Sequence, residues 1–278
     1  MIKNFKTIKR ATGLVLAVMA LSFGGSAHAG QYDKEVSHLT LLPGWERSDG
    51  YYLAAVQIDL APGWKTYWRS PGVNGIPPEF DWSGSDNLAQ VGYLWPSPSI
   101  MDEEGVRTIG YADRLILPIL LRARDPDQPI HMDLKMTYGV CEDICERAQS
   151  EAELSVKPAE VHNQDLINAA LGMRSKPANA MGLVSSTCSL VPDGDDFVLT
   201  ASFEFGQSVE QHRVVVVEAG SDLIWVSEAD HKINQNNVWV QADLQYYGDG
   251  AMTLDRSALR FTMLNDGTSI EIAGCTGN

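Results

Sequence analysis

The chain has few basic residues and no long apolar run beyond its amino terminus. Both shortages exclude certain classes of function. Its 278 residues carry 21 Lys and Arg against 36 Asp and Glu, a formal net charge of −15. Nucleic acid and anionic membrane surfaces are poor partners for such a chain, because like charges repel. A membrane-spanning helix needs about 20 consecutive apolar residues, which no later stretch supplies. We therefore predict no nucleic-acid binding and at most a peripheral contact with membranes.

The sequence also lacks the motifs of several enzyme and metal-binding classes. It contains no nucleophile elbow, phosphate-binding loop or dinucleotide-binding fingerprint. The histidines beyond the amino terminus have no metal-ligand spacing, so neither a zinc site nor a metalloprotease site is predicted. These histidines are His38, His131, His162, His212 and His231. No metal and no cofactor is expected.

The amino terminus has the three-part pattern of a cleavable secretory signal. Four Lys and Arg residues precede an apolar run at residues 11–23, and small residues follow up to Ala29. This layout is typical of a signal that is removed after export. We expect cleavage of residues 1–29 to leave an exported protein that begins near Gly30, with the bacterial periplasm favoured over full secretion. The remaining chain has 17 Lys and Arg against 36 Asp and Glu, a net charge of −19.

Alternation of apolar and polar residues with a period of two predicts a chain built mainly of strands. One segment, Asn163–Met173, has a helical spacing instead, with Asn163 as its N-cap. Because no long helical pattern accompanies the strands, two antiparallel β-sandwiches are favoured over an α/β fold. The predicted boundaries are a first sandwich at residues 30–160, a helix and linker at 161–180, and a second sandwich at 181–278. The predicted strands include Tyr52–Leu60, Ile130–Tyr138, Ala152–Val156, Phe197–Phe205, Val214–Val217, Leu223–Val226, Val238–Leu244 and a hairpin at Leu259–Ile272 that turns at Asn265-Asp266-Gly267.

The chain has only four cysteines, which divide into a close pair and a distant pair. Cys188 and Cys275 lie near the two ends of the second sandwich, where a disulfide would close a long loop and stabilise the fold by about 4.6 kcal/mol. Cys141 and Cys145 lie between two predicted strands, and their short loop would contribute only about 2 kcal/mol. We predict a structural disulfide for the distant pair. The close pair is either a permanently oxidised clip or a redox pair, and its three-residue gap differs from the two-residue gap of thioredoxins.

Four stretches of the first sandwich resemble one known family. They are Ala61–Gly72 (APGWKTYWRSPG), Pro77–Ser85 (PPEFDWSGS), Leu94–Pro96 (LWP) and Tyr138–Cys145 (YGVCEDIC). In these stretches the chain is similar to the amino-terminal periplasmic module of the DsbD and ScsB family of disulfide reductases. The similarity is close from Leu39 to Val156. Beyond that it extends only to the order and length of the second domain, as in ScsB-like members.

The resemblance implies an immunoglobulin-like sandwich with an exchanging cysteine pair. In the family this pair receives electrons from a membrane-embedded partner domain and passes them to periplasmic thioredoxin-like proteins. Carried over by position, Cys141 and Cys145 are the exchanging pair. Cys145 would form the bond with the partner, and Cys141 would release it.

The family also has a loop that covers its cysteines, with an Asp-Glu pair followed by an aromatic residue. Here Asp102 and Glu103 match that pair, but Glu104 and Gly105 stand where the covering aromatic would be. We therefore expect the loop from Met101 to Tyr111 to cover the cysteines only loosely.

The residues beside Cys145 predict a thiol of ordinary acidity. Arg147 could stabilise a thiolate, whereas Glu142, Asp143 and Glu146 would oppose one. Acidic neighbours outnumber the basic one, which favours a thiol suited to reducing other disulfides.

The sequence thus predicts a thiol–disulfide interchange protein whose membrane-embedded, DsbD- or ScsB-like electron donor lies on another chain. Two other classes of function stay open. One is a copper-binding protein in which Cys141 and Cys145, with Met101 or Met136, hold Cu(I) as soft ligands. The other is a redox-inert adaptor.

Overall fold

The computed structural model describes residues 36–277 except 74, 104–105, 158–159, 195 and 251, and the side chains of residues 103 and 106 are also not described. The predicted signal at residues 1–29 lies outside the described residues. The described chain falls within one compact unit, Glu35–Asn278. Among the described residues, no helix has the length and apolar character that crossing a membrane requires.

Ten strands form a first sandwich of two antiparallel sheets. They are β1 (Ser37–Glu46), β2 (Tyr52–Leu60), β3 (Lys65–Tyr67), β4 (Glu79–Asp81), β5 (Leu88–Tyr93), β6 (Ser99–Glu103), β7 (Val106–Ala112), β8 (Arg114–Ala123), β9 (Ile130–Cys141) and β10 (Cys145–Val156). One sheet has the order β1-β2-β8-β5. The other has the order β10-β9-β3-β7-β6, and β4 pairs with β9 beyond the end of β3.

Ten further strands form a second sandwich. They are β11 (Lys176–Pro177), β12 (Leu183–Asp193), β13 (Asp196–Phe205), β14 (Val214–Glu218), β15 (Ile224–Val226), β16 (Asp230–Asn234), β17 (Asn237–Tyr246), β18 (Arg260–Asn265), β19 (Thr268–Ala273) and β20 (Thr276–Gly277). Its sheets have the orders β11-β19-β18-β14 and β15-β17-β13-β12-β20, with β16 beside β17. Two short pairings, β11 with β19 and β12 with β20, are parallel, and all others are antiparallel.

The prediction of an all-β chain with two sandwiches is confirmed. Strand β2 has the predicted bounds, and in β9 the apolar side chains of Met132, Leu134 and Met136 are buried in the first core while the residues between them face outward. The predicted hairpin turn is present between Asn265 and Thr268. In β9, and in β2 from Val56 onward, the period of two places one row of side chains in the core.

An α-helix, α1 (Gln164–Gly172), follows the first sandwich, and a 3₁₀ turn at Ala178–Met181 precedes β12. The helix packs on the outer face of the β1-β2-β8-β5 sheet, where Ile167 is buried against Leu53 and Ala55. It begins directly after Asn163, as predicted. The side chain of Asn163 makes no capping hydrogen bond to the helix, and its Nδ2 donates to the carbonyl of Pro43.

The second sandwich is joined to the first by apolar and polar contacts. Val214 and Leu264, from the second sandwich, are buried in the core cluster of the first. The hydroxyls of Ser97 and Ser269 are hydrogen-bonded at 2.7 Å across the junction. These contacts make the junction part of the folded core.

The structure joins Cys188 to Cys275 by a disulfide, with Cα atoms 5.7 Å apart. Cys188 is buried in β12 within the second core. The bridge therefore ties the first long strand of the second sandwich to the end of the chain.

Candidate functional site

The close cysteine pair lies at the end of a β-hairpin. Cys141 is the last residue of β9, Cys145 is the first residue of β10, and the two are cross-strand partners joined by a disulfide with Cα atoms 4.1 Å apart. Cys141 is only 5% exposed, whereas Cys145 is exposed. Ile144, in the loop between them, is 72% exposed. A molecule that approaches from solvent therefore meets the sulfur of Cys145 first.

A buried tyrosine contacts the sulfur of Cys145. The hydroxyl of Tyr67 donates a hydrogen bond to the Cys145 Sγ at 3.0 Å. Strand β3 places it there, because Lys65 is opposite Cys141 and Thr66 is opposite Val140 in the ladder with β9. Tyr67 follows on the same face of the sheet as Lys65, since side chains alternate along a strand.

Gly139 makes room for that contact. A Cβ atom at residue 139 would lie 2.4 Å from the Cδ2 of Tyr67, so the ring lies where a side chain of residue 139 would otherwise be. The hydroxyl of Thr66 donates to the Gly139 carbonyl at 2.8 Å and fixes β3 against β9 at this point. The glycine thus lets Tyr67 reach across β9 to the first residue of β10.

Burial strengthens the preference of this tyrosine for its neutral, hydrogen-bond-donating form. Desolvation raises the pKa of the Tyr67 hydroxyl above its ordinary value. A tyrosine hydroxyl is protonated at neutral pH even without this shift, and the shift keeps it a hydrogen-bond donor to sulfur at higher pH.

The charges around the pair are mainly acidic and exposed. Glu142, Asp143 and Glu146 flank the cysteines with exposed side chains. The guanidinium of Arg147 lies 4.0 Å from the carboxylate of Glu79, and both side chains are mostly exposed. Arg147, which is expected to stabilise a thiolate, therefore also forms an ion pair with Glu79.

A comparison with known protein families matches this part of the chain. The family described as "Thiol:disulfide interchange protein DsbD, N-terminal" matches residues 36–157. Residues 36–157 form a DsbD amino-terminal domain. The domain includes both sheets of the first sandwich and the Cys141–Cys145 hairpin.

Among solved structures, the chain is similar to the amino-terminal periplasmic domain of ScsB from Proteus mirabilis. The two share 24% sequence identity and a TM-score of 0.59, and the match covers 87% of this chain and 92% of the ScsB domain. The likeness in fold therefore includes both sandwiches. A reduced DsbD amino-terminal domain from Neisseria meningitidis matches 45% of this chain and 90% of its own length, with 19% identity and a TM-score of 0.24. The comparison with curated proteins found no match.

The β6–β7 hairpin, which carries the residues predicted to match the DsbD covering loop, is bound to the second sandwich. Asp102 forms ion pairs with Arg107 at 3.6 Å and with Arg213 of the second sandwich at 3.7 Å, and Arg107 also pairs with Glu228. Residues 104–105, the place of the family's aromatic, and the side chain of Glu103 lie outside the description. Asp102 thus contacts the second sandwich through Arg213.

The strand register gives the position of that hairpin relative to the disulfide. Ala112, at the end of β7, is opposite Lys65, which is itself opposite Cys141. Val106, at the start of β7, is six residues before Ala112, which is roughly 20 Å along the strand. The tip of the hairpin therefore lies well away from the level of the cysteines.

Tyr111 lies inside the first sandwich. Its hydroxyl donates to the carbonyl of Pro96 at 2.8 Å, and its ring stacks on Trp95. Burial raises the pKa of the Tyr111 hydroxyl well above its ordinary value. Tyr111 therefore stabilises the strand–loop packing on the far side of β3, and the tyrosine on the sulfur is Tyr67.

The two methionines considered as copper ligands lie apart from the cysteines. Met136 is buried in the first core, and it faces the opposite side of β9 from Cys141, because the two are an odd number of positions apart along the strand. Met101 lies on β6, opposite Thr108 of β7. Among the residues that the structure describes, no group of three or more His, Cys, Asp or Glu side chains is placed to hold a metal ion.

Sequence reasoning missed Tyr67 and Gly139 as residues of the site. Both lie within the stretches that resemble the DsbD family, and that resemblance was the available signal. Their contact depends on the pairing of β3 with β9, which is more than 70 residues further along the chain.

Proposed function

We propose that this protein is a periplasmic thiol–disulfide interchange protein that relays electrons through Cys141 and Cys145. The observation that carries the proposal is the asymmetric disulfide in a DsbD amino-terminal domain, with Cys141 buried and Cys145 exposed. An exposed sulfur can exchange with a partner, and a buried sulfur beside it can resolve the mixed disulfide.

The reduced pair would act in two balanced steps. The Cys145 thiolate attacks a disulfide of the partner; the new Cys145–partner bond forms, and one partner sulfur leaves as a thiolate. Cys141 then loses its proton to solvent and attacks the Cys145 Sγ. The internal disulfide forms, and the second partner sulfur leaves. The dithiol is oxidised by two electrons and the partner disulfide is reduced by two.

The chemistry requires an electron acceptor and an electron donor. We propose thioredoxin-like periplasmic proteins as the acceptors and a membrane-embedded, DsbD- or ScsB-like protein on another chain as the donor. The donor would reverse the same two steps and return Cys141 and Cys145 to the dithiol form. This assignment follows the fold shared with a periplasmic ScsB domain and the family of residues 36–157.

An exchange assay with purified protein tests the proposal. The reduced protein is mixed with an oxidised thioredoxin-fold protein, and both redox states are followed by thiol labelling and mass spectrometry. We expect stoichiometric transfer that is lost in the Cys141→Ser, Cys145→Ser double variant and kept in a Cys188→Ser, Cys275→Ser control that folds. Absence of transfer would favour the redox-inert adaptor, and tight Cu(I) binding by the reduced protein without transfer would favour the copper-binding class.

A further inference from the structure

Three consecutive residues connect the disulfide to the second sandwich. The hydroxyl of Tyr67 contacts the Cys145 sulfur. Trp68 is fully buried in the first core, and its backbone N–H donates to the carbonyl of Ile109. Arg69 extends to the second sandwich, with its guanidinium 4.4 Å from the centre of the Trp68 ring.

Arg69 is held by two carboxylates of the second sandwich. Its Nε and one terminal nitrogen donate to the two carboxylate oxygens of Glu218 at 2.9 Å each, and the same terminal nitrogen donates to Glu271 at 2.9 Å. The three side chains are 17%, 21% and 27% exposed. Water therefore competes weakly for these bonds, and the bidentate geometry fixes the guanidinium plane.

The strand that carries Tyr67 is short and ends two residues before this anchor. Strand β3 has three residues, Lys65–Tyr67, and its ladder with β9 involves only Lys65 and Thr66. Beyond Tyr67 the chain leaves the sheet, and Arg69 is the next residue with strong polar contacts. Within the sheet Tyr67 is paired with Gly110 of β7, and beyond the end of the strand Arg69 ties the chain to the second sandwich.

We propose that Tyr67 is a catalytic residue that stabilises the thiolate of Cys145 through its hydroxyl, and that the second sandwich positions Tyr67 through Arg69. The inference rests on the proposed thiol–disulfide interchange and gives the second sandwich a role in it.

A hydrogen bond to a thiolate favours the charged form of the sulfur, which is the nucleophile of the exchange. The donor does not lose its proton in the reaction, so the electron and atom balance of the two steps is unchanged. Among the charged groups on the elements around Cys145, Glu142, Asp143 and Glu146 oppose the thiolate. Arg147 is shared with Glu79, and Lys65 of β3 is opposite Cys141. Tyr67 is the donor that the structure places on the sulfur itself.

Alkylation of Cys145 tests the role of the hydroxyl without any partner protein. In a Cys141→Ala background, the rate of reaction of Cys145 with iodoacetamide is measured from pH 5 to pH 10, with peptide mapping to identify the site. We expect Tyr67→Phe to move the rate–pH profile to higher pH and to lower the rate at pH 7 by about threefold. The fall in thiolate fraction is partly offset by the greater nucleophilicity of the more basic thiolate. An unchanged profile would overturn the catalytic role.

A double-mutant cycle tests the anchor. We expect Arg69→Gln to shift the profile in the same direction as Tyr67→Phe, and Arg69→Lys, which keeps the charge, to shift it less. In the Tyr67→Phe background Arg69→Gln should have no further effect. The matched control is Arg107→Gln, which removes another ion pair between the sandwiches, Arg107–Glu228, and should leave the profile unchanged.

Two results would overturn the positioning role. One is an equal shift in Arg69→Gln and Arg107→Gln, which would indicate a general loosening of the junction. The other is a full effect of Arg69→Gln in the absence of the Tyr67 hydroxyl. Circular dichroism of each variant establishes that it is folded before its profile is compared. If the alkylation profiles of the variants shift as expected but no electrons are transferred to a thioredoxin-fold protein, the proposed function is contradicted and the roles of Tyr67 and Arg69 are not.

Discussion

Gly139 and Tyr67 share one position on the outer face of the first sandwich, because the tyrosine ring lies where a side chain on residue 139 would project. Any larger residue at 139 must displace the ring or the strand. Gly139→Ala should therefore destabilise the folded state by about 1–3 kcal/mol, the usual cost of overpacking.

The same substitution should separate the Tyr67 hydroxyl from the Cys145 sulfur. We expect Gly139→Ala to shift the alkylation profile of Cys145 in the same direction as Tyr67→Phe. Gly92→Ala is the matched control, since a Cβ at that strand position would meet Leu120 at 3.7 Å, an ordinary contact. Urea unfolding and the alkylation assay provide the two measurements, and equal results for both glycines would contradict the shared position.

The two disulfides should differ in their resistance to reduction. Cys145 is exposed, while Cys188 is buried in the second core. We expect Cys141–Cys145 to be reduced at potentials above about −300 mV and Cys188–Cys275 only below that value. Alkylation and peptide mapping across a series of dithiothreitol buffers would measure both midpoints, and equal resistance of the two bridges would argue against a redox role for the first.

The difference in exposure also predicts which single-cysteine variant traps a partner. Cys141→Ala leaves Cys145 without a resolving thiol, so it should accumulate a mixed disulfide with a periplasmic thioredoxin-like protein. The complex would appear as a dithiothreitol-sensitive band on a non-reducing gel of cell extract. Cys145→Ala should trap much less, because Cys141 is shielded. The reverse pattern would exchange the roles of the two cysteines.

The β6–β7 hairpin should have little influence on access to the cysteines. Its residue Asp102 is paired with Arg213 of the second sandwich, and the register places its tip roughly 20 Å from the level of Cys141. Deletion of residues 103–105 should therefore leave the alkylation rate of reduced Cys145 within about twofold of the parent. A large acceleration on deletion would mean that the hairpin covers the site as the DsbD loop does.

Nine of the twenty strands in the described residues, and the position of the cysteine pair between two of them, could be predicted from the sequence. Along most of β9, and in β2 from Val56 onward, a single face is buried, so the apolar residues recur with a period of two and the pattern alone is informative. Strand β3 could not be predicted in this way. It has three residues, all buried, and three residues show no period.

The contacts of the site that connect distant parts of the chain were also beyond sequence reasoning. Arg69 meets Glu218 and Glu271, which lie 149 and 202 residues further along the chain. One arginine and two glutamates at such separations produce no local signal, and only the packing of the two sandwiches brings them together. The resemblance to the DsbD family likewise pointed to Asp102 beside the cysteines, whereas the second sandwich draws this residue away.

The ion pairs of Arg69 with Glu218 and Glu271 limit how domains can be exchanged between related proteins. A first sandwich joined to a foreign second sandwich would carry the mostly buried guanidinium of Arg69 without carboxylates to accept its hydrogen bonds, unless Glu218 and Glu271 are transferred with it. The two sandwiches therefore cannot be exchanged independently between related proteins. A hybrid that keeps every residue near Cys141 and Cys145 can still lose the reactivity of these cysteines if the contacts between its two sandwiches are not preserved.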